Sequence, residues 1–262
     1  MMIDVEVTIS FSRSKLIYIY FFFRCGRRHR TLVIRADSEA DFELSMLTKK
    51  SETVFVAETL LPTRSGKFHV RAYRHTIDGV TSEPTAMVSG AVEGLEGVPV
   101  RVHDACFTSE VLGSLKCDCA EQLNQALNYI SENGPGVVIY LQQEGRGIGL
   151  ANKIAAYQLQ EKGYDSVDAN RALGLPDDCR EYTSVRNMLQ EMGIKSIKLM
   201  SNNPRKIRVL TALGVKVVGR IPVLCEANEV NRNYLKTKEE RMEHLLDNSW
   251  DETYWTFREG EM

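Results

Sequence analysis

The spacing of apolar residues changes along the chain, and this change restricts the folds that the chain can form. From Thr53 onward the pattern is that of β-strands: the ranges 53–61, 67–75 and 85–92 alternate between apolar and polar residues or run apolar. Asp78-Gly79 lies between the last two ranges and is a typical hairpin turn. This part of the chain is therefore predicted to be rich in β-strands.

In the second half of the chain, helical and strand patterns alternate. Three amphipathic helices are predicted, at 120–130, 150–162 and 204–213. A glycine follows the end of each helical pattern and marks its stop. Short apolar strands are predicted at 136–141, 194–200 and 215–218. The predicted fold class is therefore α/β (α+β), with a β-rich N-terminal part packed with a mixed sheet and helices.

Charge and hydropathy exclude two classes of partner. The formal net charge is −2, from 33 Lys and Arg against 35 Asp and Glu, which provides no strongly basic surface for nucleic acid or an anionic membrane. The longest apolar run, residues 16–23, is far shorter than the about 20 residues that a bilayer-spanning helix needs. We therefore expect neither a nucleic-acid partner nor a membrane partner.

The sign of the charge divides the chain into segments. Residues 1–36 are basic and aromatic, and acidic residues begin together at Asp37. This composition is typical of a transit peptide or a disordered leader, although an ordinary pair of N-terminal strands or a mis-assigned start codon would also produce it. We predict an acidic linker at 37–52, a catalytic domain at 53–249 and an acidic tail at 250–262. The protein is expected in a plastid if the leader is a transit peptide, and in the cytoplasm otherwise.

Three of the six cysteines, Cys106, Cys117 and Cys119, lie close together in the sequence. Thiolates at this spacing can bind one metal ion from a tight turn and a short loop. Three protein ligands leave the fourth position of a tetrahedral zinc open for water, as in catalytic sites, where zinc lowers the pKa of that water to about 7. The spacing alone leaves two alternatives open: a structural zinc completed by His103, and three buried free cysteines.

Two predicted strand-to-helix loops are suited to binding phosphate. The range 144–149 is rich in glycine, and 201–206 has a proline at the start of its helix. Glycines let the backbone approach a ligand closely, and the first N–H groups of a helix bind anions. The first loop is also compatible with a simple tight connection, and Lys206 with a solvated helix face. By composition alone, Asp178 and Arg180 form an exposed ion pair on a surface loop.

Several motifs occur together in the order and spacing of one enzyme family. R-V-H-D-A-C at 101–106 is followed by Cys117-Asp118-Cys119 and then by Gln122. Five further motifs follow, at 143–150, 163–170, 178–182, 202–206 and 234–238. Together with Tyr157 they resemble the GTP cyclohydrolase II family over roughly residues 58–246.

The resemblance implies an activity. It implies zinc-dependent hydrolysis of GTP to formate, pyrophosphate and 2,5-diamino-6-(5-phosphoribosylamino)pyrimidin-4-one, the first step of riboflavin biosynthesis. It places one catalytic Zn²⁺ on Cys106, Cys117 and Cys119, Mg²⁺ on the triphosphate of GTP, and two chains in a homodimer. Because only about 55 residues precede the catalytic part, fewer than an ordinary second domain needs, the chain is expected to be monofunctional.

The resemblance also assigns site residues. Tyr157 is expected to act at ring opening beside the zinc, and Asp178 and Arg180 at the α-phosphate. The implied substrate-binding residues are Arg101, Val102, His103, Asp104, Ala105, Gln122, Glu144, Gly145, Arg146, Ser166, Ser201 and Lys206.

This sequence departs from the family pattern at three positions. Ala105 stands where the family commonly has Glu, and Ser166 and Ser201 stand where Thr is common, with the hydroxyl retained. The family's Arg is proposed as a nucleophile with the Asp as its base, but a guanidinium stays protonated near neutrality, so an electrostatic clamp is the alternative. Two other functions remain open: a family variant with a different product, and a non-catalytic zinc and GTP-binding subunit.

Overall fold

The chain forms two compact units, residues 1–49 and residues 50–262. The computed structural model describes residues 4–11, 17–25, 28–36, 50–225 and 229–231. The predicted acidic tail and most of the predicted acidic linker therefore lie outside the described residues, as does the motif at 234–238.

The first unit is a small antiparallel sheet. Its strands are β1 (Asp4–Phe11), β2 (Ile17–Cys25) and β3 (Arg28–Ala36), and β2 lies in the centre. Whether residues 1–36 act as a transit peptide or another leader stays a prediction.

The second unit contains a mixed sheet of eight strands. They are β4 (Ser51–Thr63), β5 (Gly66–Ile77), β6 (Val80–Ser82), β7 (Thr85–Ser89), β8 (Val98–Asp104), β9 (Gly136–Leu141), β10 (Ile197–Met200) and β11 (Val217–Ile221). The order across the sheet is β11-β10-β8-β9-β7-β5-β4, and β6 pairs with β5. The four strands from β11 to β9 are parallel, and the pairs from β9 to β4 are antiparallel. The sheet thus has a parallel half and an antiparallel half.

Six helices and one 3₁₀ turn are described in the second unit. They are α1 (Phe107–Glu110), α2 (Cys119–Asn133), the 3₁₀ turn (Glu144–Gly147), α3 (Leu150–Gln160), α4 (Ser166–Ala172), α5 (Thr183–Glu191) and α6 (Pro204–Ala212). Two begin at side-chain caps: Asp165 accepts from two N–H groups of α4, and Asn203 accepts from the Lys206 N–H in α6. Within the described part of the chain, no helix has the length and apolar character needed to cross a membrane.

The main core joins α2 to the sheet. Ala126 and Ile130 of α2 pack with Phe68, Val138 and Met200, and all five side chains are buried. Burying an apolar side chain of the size of Ile or Phe stabilises the fold by about 1.5–3 kcal/mol. Because α2 begins at Cys119, this packing also fixes one member of the cysteine cluster relative to the parallel strands.

The predicted fold class is confirmed, since an eight-stranded mixed sheet with helices forms the second unit. The predicted helices and strands each overlap an observed element, with ends displaced by a few residues: the strand predicted at 85–92 ends at Ser89, and the one at 194–200 begins at Ile197.

Several elements of the second unit were not predicted: the short β6, α1 and the 3₁₀ turn, and the longer β8, α4 and α5. In β8 (V-P-V-R-V-H-D), a proline and charged residues alternate with valines, which is the pattern of a half-exposed strand. The structure instead buries Arg101 and His103, because both sides of this central strand are covered.

Candidate active site

The candidate site is a cleft at the carboxyl ends of the parallel strands β8 and β9. In open sheets with parallel strands, ligands bind at this edge, where the loops that follow the strands meet. Eleven of the lining residues were predicted from the sequence: Asp104, Ala105, Cys106, Cys117, Cys119, Glu144, Gly145, Arg146, Tyr157, Ser166 and Arg180. Six were not: Gln143, Ile148, Lys153, Ala156, Gln160 and Asn170.

One end of the cleft holds the three predicted metal ligands. The sulfurs of Cys106, Cys117 and Cys119 all lie within 4.8 Å of one another, and the Sγ atoms of Cys106 and Cys117 are 3.6 Å apart. Two sulfurs that each lie about 2.3 Å from a tetrahedral zinc are about 3.8 Å apart, so the spacing and the soft donors fit zinc. The three cysteines are free of disulfides. Among the described residues, the group whose ligand atoms lie this close together contains only the three cysteines, so His103 is not part of it; its Nε2 lies 2.9 Å from Glu110 Oε1.

A carboxylate behind the cleft shapes the turn that carries Cys106. Glu110, in α1, accepts a hydrogen bond from the Cys106 N–H through Oε1 (2.7 Å) and one from the Tyr140 hydroxyl through Oε2 (2.7 Å). His103 contacts the same Oε1 and is buried. Burial lowers the pKa of His103, so its ring is neutral near pH 7. This network fixes the backbone immediately beside the first metal ligand.

Lys153, on α3, reaches across to the cysteine cluster. Its Nζ lies 3.1 Å from Cys106 Sγ and 2.6 Å from Glu144 Oε1. The other oxygen of Glu144 accepts from the Phe107 N–H at 2.6 Å. Hydrogen bonds from the thiols of Cys117 and Cys119, together with the one from Lys153, hold the pKa of Cys106 well below its usual range. Cys106 is therefore prepared to bind a cation as a thiolate.

Tyr157 lies one helical turn after Lys153 and lines the same cleft. Two ammonium groups approach its ring: the Nζ of Lys116 is 4.7 Å from the ring centroid and the Nζ of Lys153 is 5.7 Å away. Cations at this distance are attracted to the face of the ring. The structure thus places Tyr157 in the lining of the cleft that also contains the cysteine cluster, and its role in ring opening stays a prediction.

The other end of the site is a cluster of charged side chains. Asp104 Oδ2 contacts Arg180 Nη1 at 2.8 Å and Lys206 Nζ at 2.9 Å, and it accepts from the Tyr182 hydroxyl at 3.1 Å. Asp178 pairs with the Nε and Nη2 atoms of Arg180. The Arg180 side chain is thus held by two carboxylates at once, in a fork geometry that fixes its orientation.

This cluster is buried, which changes two of the expectations from composition. Arg180 is 9% exposed and Lys206 only 5%. The alternatives of a surface ion pair at Asp178 and Arg180, and of a solvated Lys206, are therefore wrong. The Arg205 guanidinium also lies 3.4 Å from Asp178.

The charges of the cluster set each other's protonation states. Burial raises the pKa of Asp104, but Lys206 and Arg180 outweigh burial and hold that pKa well below its usual range. Burial also raises the pKa of Asp178, but Arg180 outweighs burial, so the pKa of Asp178 is lowered too. Burial lowers the pKa of Lys206 to about 8 despite the opposing effect of Asp104. Both carboxylates are therefore ionised at neutral pH, and Lys206 is mostly charged.

The 3₁₀ turn connects the two ends of the site. Gly145 and Arg146 both have positive φ (63° and 62°), so the turn adopts the left-handed conformation that glycine favours and other residues rarely take. The Arg146 Nη2 donates to Ser166 Oγ at 3.3 Å, and the Arg146 carbonyl accepts from the Cys179 N–H at 3.1 Å. The turn thus touches both α4 and the loop that carries Arg180.

A second link joins Gln143 to the same loop. The Gln143 amide donates to the Glu181 carbonyl at 2.6 Å and accepts from the Glu181 N–H at 2.7 Å. This two-way bond fixes the backbone directly after Arg180. Gln143 belongs to a motif of the sequence, but no position-specific signal pointed to this role.

Six predicted substrate-binding residues do not line the cleft: Arg101, Val102, His103, Gln122, Ser201 and Lys206. Gln122 accepts from Arg101 Nη2 at 2.7 Å and donates to Asp118 Oδ2 at 2.6 Å, and Ser201 Oγ accepts from the Asn203 N–H at 3.1 Å. Lys206 also donates to the Val102 carbonyl at 2.7 Å. These residues support the walls of the site, and their contacts with substrate stay predictions.

Comparisons with known proteins agree with the motifs. A family model described as GTP cyclohydrolase II matches residues 54–222. The riboflavin biosynthesis protein RibBA of Bacillus cereus is 47% identical over 191 residues, which are 73% of this chain and 48% of that protein. RibBA of Chlamydia trachomatis is 43% identical over 85% of this chain and 51% of its own length, and RibBA of Aquifex aeolicus is 45% identical over 84% and 53%. The chain therefore spans about half the length of these relatives.

Proposed function

This chain belongs to the GTP cyclohydrolase II family, and we propose that it hydrolyses GTP to formate, pyrophosphate and 2,5-diamino-6-(5-phosphoribosylamino)pyrimidin-4-one in riboflavin biosynthesis. The observation that carries the proposal is the pairing of two dissimilar clusters in one site. A three-thiol cluster suited to zinc and a buried Arg180 between two carboxylates lie around the same cleft. The reaction has two hydrolytic steps with different needs, and each cluster suits one of them.

The thiol cluster suits the opening of the guanine ring. When bound to three thiolates, Zn²⁺ supplies a hydroxide near neutral pH, which is the nucleophile needed at C8 of the ring. Cys106, Cys117 and Cys119 would hold the ion, and Glu110 keeps the Cys106 turn in place. Tyr157 lines the same cleft, and in this proposal it orients the reacting ring or passes it a proton. These residues support formate release at this end of the cleft.

The charged cluster suits attack at the α-phosphate. Arg180, Lys206 and Arg205 carry three positive charges against two on Asp104 and Asp178, which leaves one positive charge for the phosphates. Burial lowers the pKa of Arg180, but Tyr182, Asp178 and Asp104 outweigh burial and raise that pKa well above its usual value. A guanidinium that cannot lose its proton is a poor nucleophile. We therefore propose that Arg180 stabilises the developing charge, with Asp178 orienting it.

Arg146 is the further phosphate ligand at the mouth of the site. It belongs to the turn between the two clusters, and its Nη2 contact with Ser166 directs the side chain along the cleft wall. We propose that Arg146 binds the outer phosphates, and that Mg²⁺ enters with the triphosphate of GTP, as with most such substrates. The homodimer is a further proposal that rests on the resemblance, and location in a plastid if residues 1–36 are a transit peptide, or otherwise in the cytoplasm, is one that rests on the composition.

The test is turnover by the purified protein. GTP, Zn²⁺ and Mg²⁺ are mixed with the protein, formate and pyrophosphate are quantified separately, and the pyrimidine product is identified by its mass. One formate and one pyrophosphate per GTP are expected. Release of only one of the two would identify a family variant with a different product, and release of neither by zinc-loaded protein would contradict catalysis.

A further inference from the structure

Lys153 is a partly buried cation that the two-step reaction described above does not use. Its side chain is 12% exposed, and its Nζ lies between Cys106 Sγ (3.1 Å) and Glu144 Oε1 (2.6 Å). Glu144 itself is held by the Phe107 N–H, the neighbour of Cys106. The contacts form a closed ring that leads from Cys106 through Lys153 and Glu144 back to Phe107. The ammonium is therefore directed at one particular sulfur.

Charge balance gives this contact a purpose. Three thiolates and one divalent cation carry a net charge of −1, and an uncompensated charge is costly in a partly buried site. The adjacent ammonium offsets the charge of the one thiolate that it contacts, while Glu144 on the same ammonium keeps the overall sum at −1. A hydrogen bond to a thiolate also withdraws electron density from the sulfur, so that the sulfur donates less charge to a bound metal. The ion pair with Glu144, at 2.6 Å, holds the ammonium in its charged form beside the sulfur.

We propose that Lys153 is a positioning residue of the metal centre, which makes Cys106 the weakest of the three sulfur donors and so keeps the bound metal a strong Lewis acid. The proposal rests on the proposed zinc-dependent function. According to this proposal, Glu144 acts through Lys153, because it holds the Lys153 ammonium against the sulfur of Cys106. The competing explanation is that Lys153 only fastens α3 to the 3₁₀ turn through its ion pair with Glu144.

The two explanations predict different electron densities on the thiolates that bind the metal. The protein is stripped of metal and titrated with Co²⁺, whose sulfur-to-metal charge-transfer absorption reports the electron density on the thiolates. Lys153→Met removes the charge and the donor while keeping the length of the side chain. Lys153→Arg keeps both. Lys116→Met is the matched control, since Lys116 also approaches the Tyr157 ring but is 39% exposed and pairs with Glu161.

The expected result is a shift of the charge-transfer band to lower energy in Lys153→Met, with little shift in Lys153→Arg and none in Lys116→Met. Formate release by zinc-loaded Lys153→Met should fall on the order of 10- to 100-fold, the usual effect of losing a residue that supports a metal ligand. Thermal unfolding of each variant shows whether the fold is intact, and the Lys153→Arg spectrum remains decisive if Lys153→Met is unstable.

Three outcomes would overturn the proposal. If the charge-transfer band of Lys153→Met matches that of the wild type, Lys153 only fastens α3 to the 3₁₀ turn. The same conclusion follows if the band of Lys153→Arg shifts as far as that of Lys153→Met. If Co²⁺ gives no band in the wild type, the metal site and the proposal both fail. If the band shifts as expected but wild-type protein releases no formate, the role of Lys153 stands and the proposed function alone is lost.

Discussion

The two ends of the site differ in how complete they are. At the charged end, Asp104 and Asp178 both form ion pairs with Arg180. Lys206 contacts Asp104 and the Val102 carbonyl. At the thiol end, three sulfurs converge on a point between them and an ammonium approaches from one side. The first end is closed by its own ion pairs, whereas the second presents three sulfur donors that could share one metal ion. Substitutions at the two ends should therefore fail in different ways.

The largest effect is expected from Cys117→Ser. A site with two thiolates holds zinc poorly, so zinc content and formate release should both be lost. Zinc per chain and formate per GTP are the measurements. Near-normal values of both would contradict the metal assignment and remove the contrast between the two ends.

Arg180→Ala tests the charged end. It removes a transition-state contact, so pyrophosphate release should fall on the order of 10²-fold or more, while zinc content stays normal. Arg180→Lys should rescue little, because an ammonium cannot reproduce the planar fork that two carboxylates hold. Both variants require a check of thermal unfolding, since removing one partner of a buried ion pair destabilises a protein by about 3–5 kcal/mol.

The comparison for this pair of variants is Tyr157→Phe, which removes only the hydroxyl at the thiol end. It should lose formate and retain some pyrophosphate release. If Arg180→Ala instead released pyrophosphate at the wild-type rate, the charged end would be structural only.

A moderate effect is expected from pH through Lys206. Its pKa of about 8 lies below the ordinary 10.5, so the charge is lost as the pH rises through 8. The value of kcat/KM for GTP should therefore fall above pH 8, by up to about tenfold per pH unit, and this decline should be absent in Lys206→Met. Stability should change in the opposite direction, because between pH 8 and 10.5 the unfolded chain binds the proton that the folded chain has released. A wild-type kcat/KM that is flat from pH 7 to 9.5 would contradict the role of this charge.

The smallest effect is expected from removing the first 36 residues. The described site lies wholly within the second unit, so a chain that starts at Asp37 should fold and turn over GTP like the full chain. Circular dichroism and the formate assay make the comparison. Loss of folding would show that the catalytic unit depends on this segment, and the leader hypothesis would be abandoned.

The sequence was informative where a function needs unusual residues close together. The spacing predicted that Cys106, Cys117 and Cys119 could bind one metal ion together, and their sulfurs do lie within 4.8 Å of one another. The choice of a catalytic zinc over the alternatives rested on the family resemblance. The burial of Arg180 could not be predicted in this way. Its partner Asp104 is 76 positions away, and only the fold brings them together. Lys153 was missed for the same reason, since a lysine on an amphipathic helix is ordinarily solvated, and its sulfur partner lies 47 positions earlier.

The central strand shows the other limit of sequence patterns. Valines that alternate with proline, arginine and histidine indicate an edge or a half-exposed strand. In β8 the polar positions are buried because each has found a specific partner: Arg101 bonds the Met200 carbonyl and Gln122, and His103 bonds Glu110. Tertiary structure determines which residues become hydrogen-bond partners of this kind, so the periodicity of the local sequence cannot predict them.

The two-way bond between Gln143 and Glu181 has a consequence for measuring motion in this enzyme. The Glu181 N–H lies outside regular secondary structure, and a side chain holds it. The rate at which this N–H exchanges with deuterium therefore reports how often the loop after Arg180 separates from Gln143, which follows strand β9. A single backbone amide can thus record opening of the charged end independently of turnover, with or without nucleotide present.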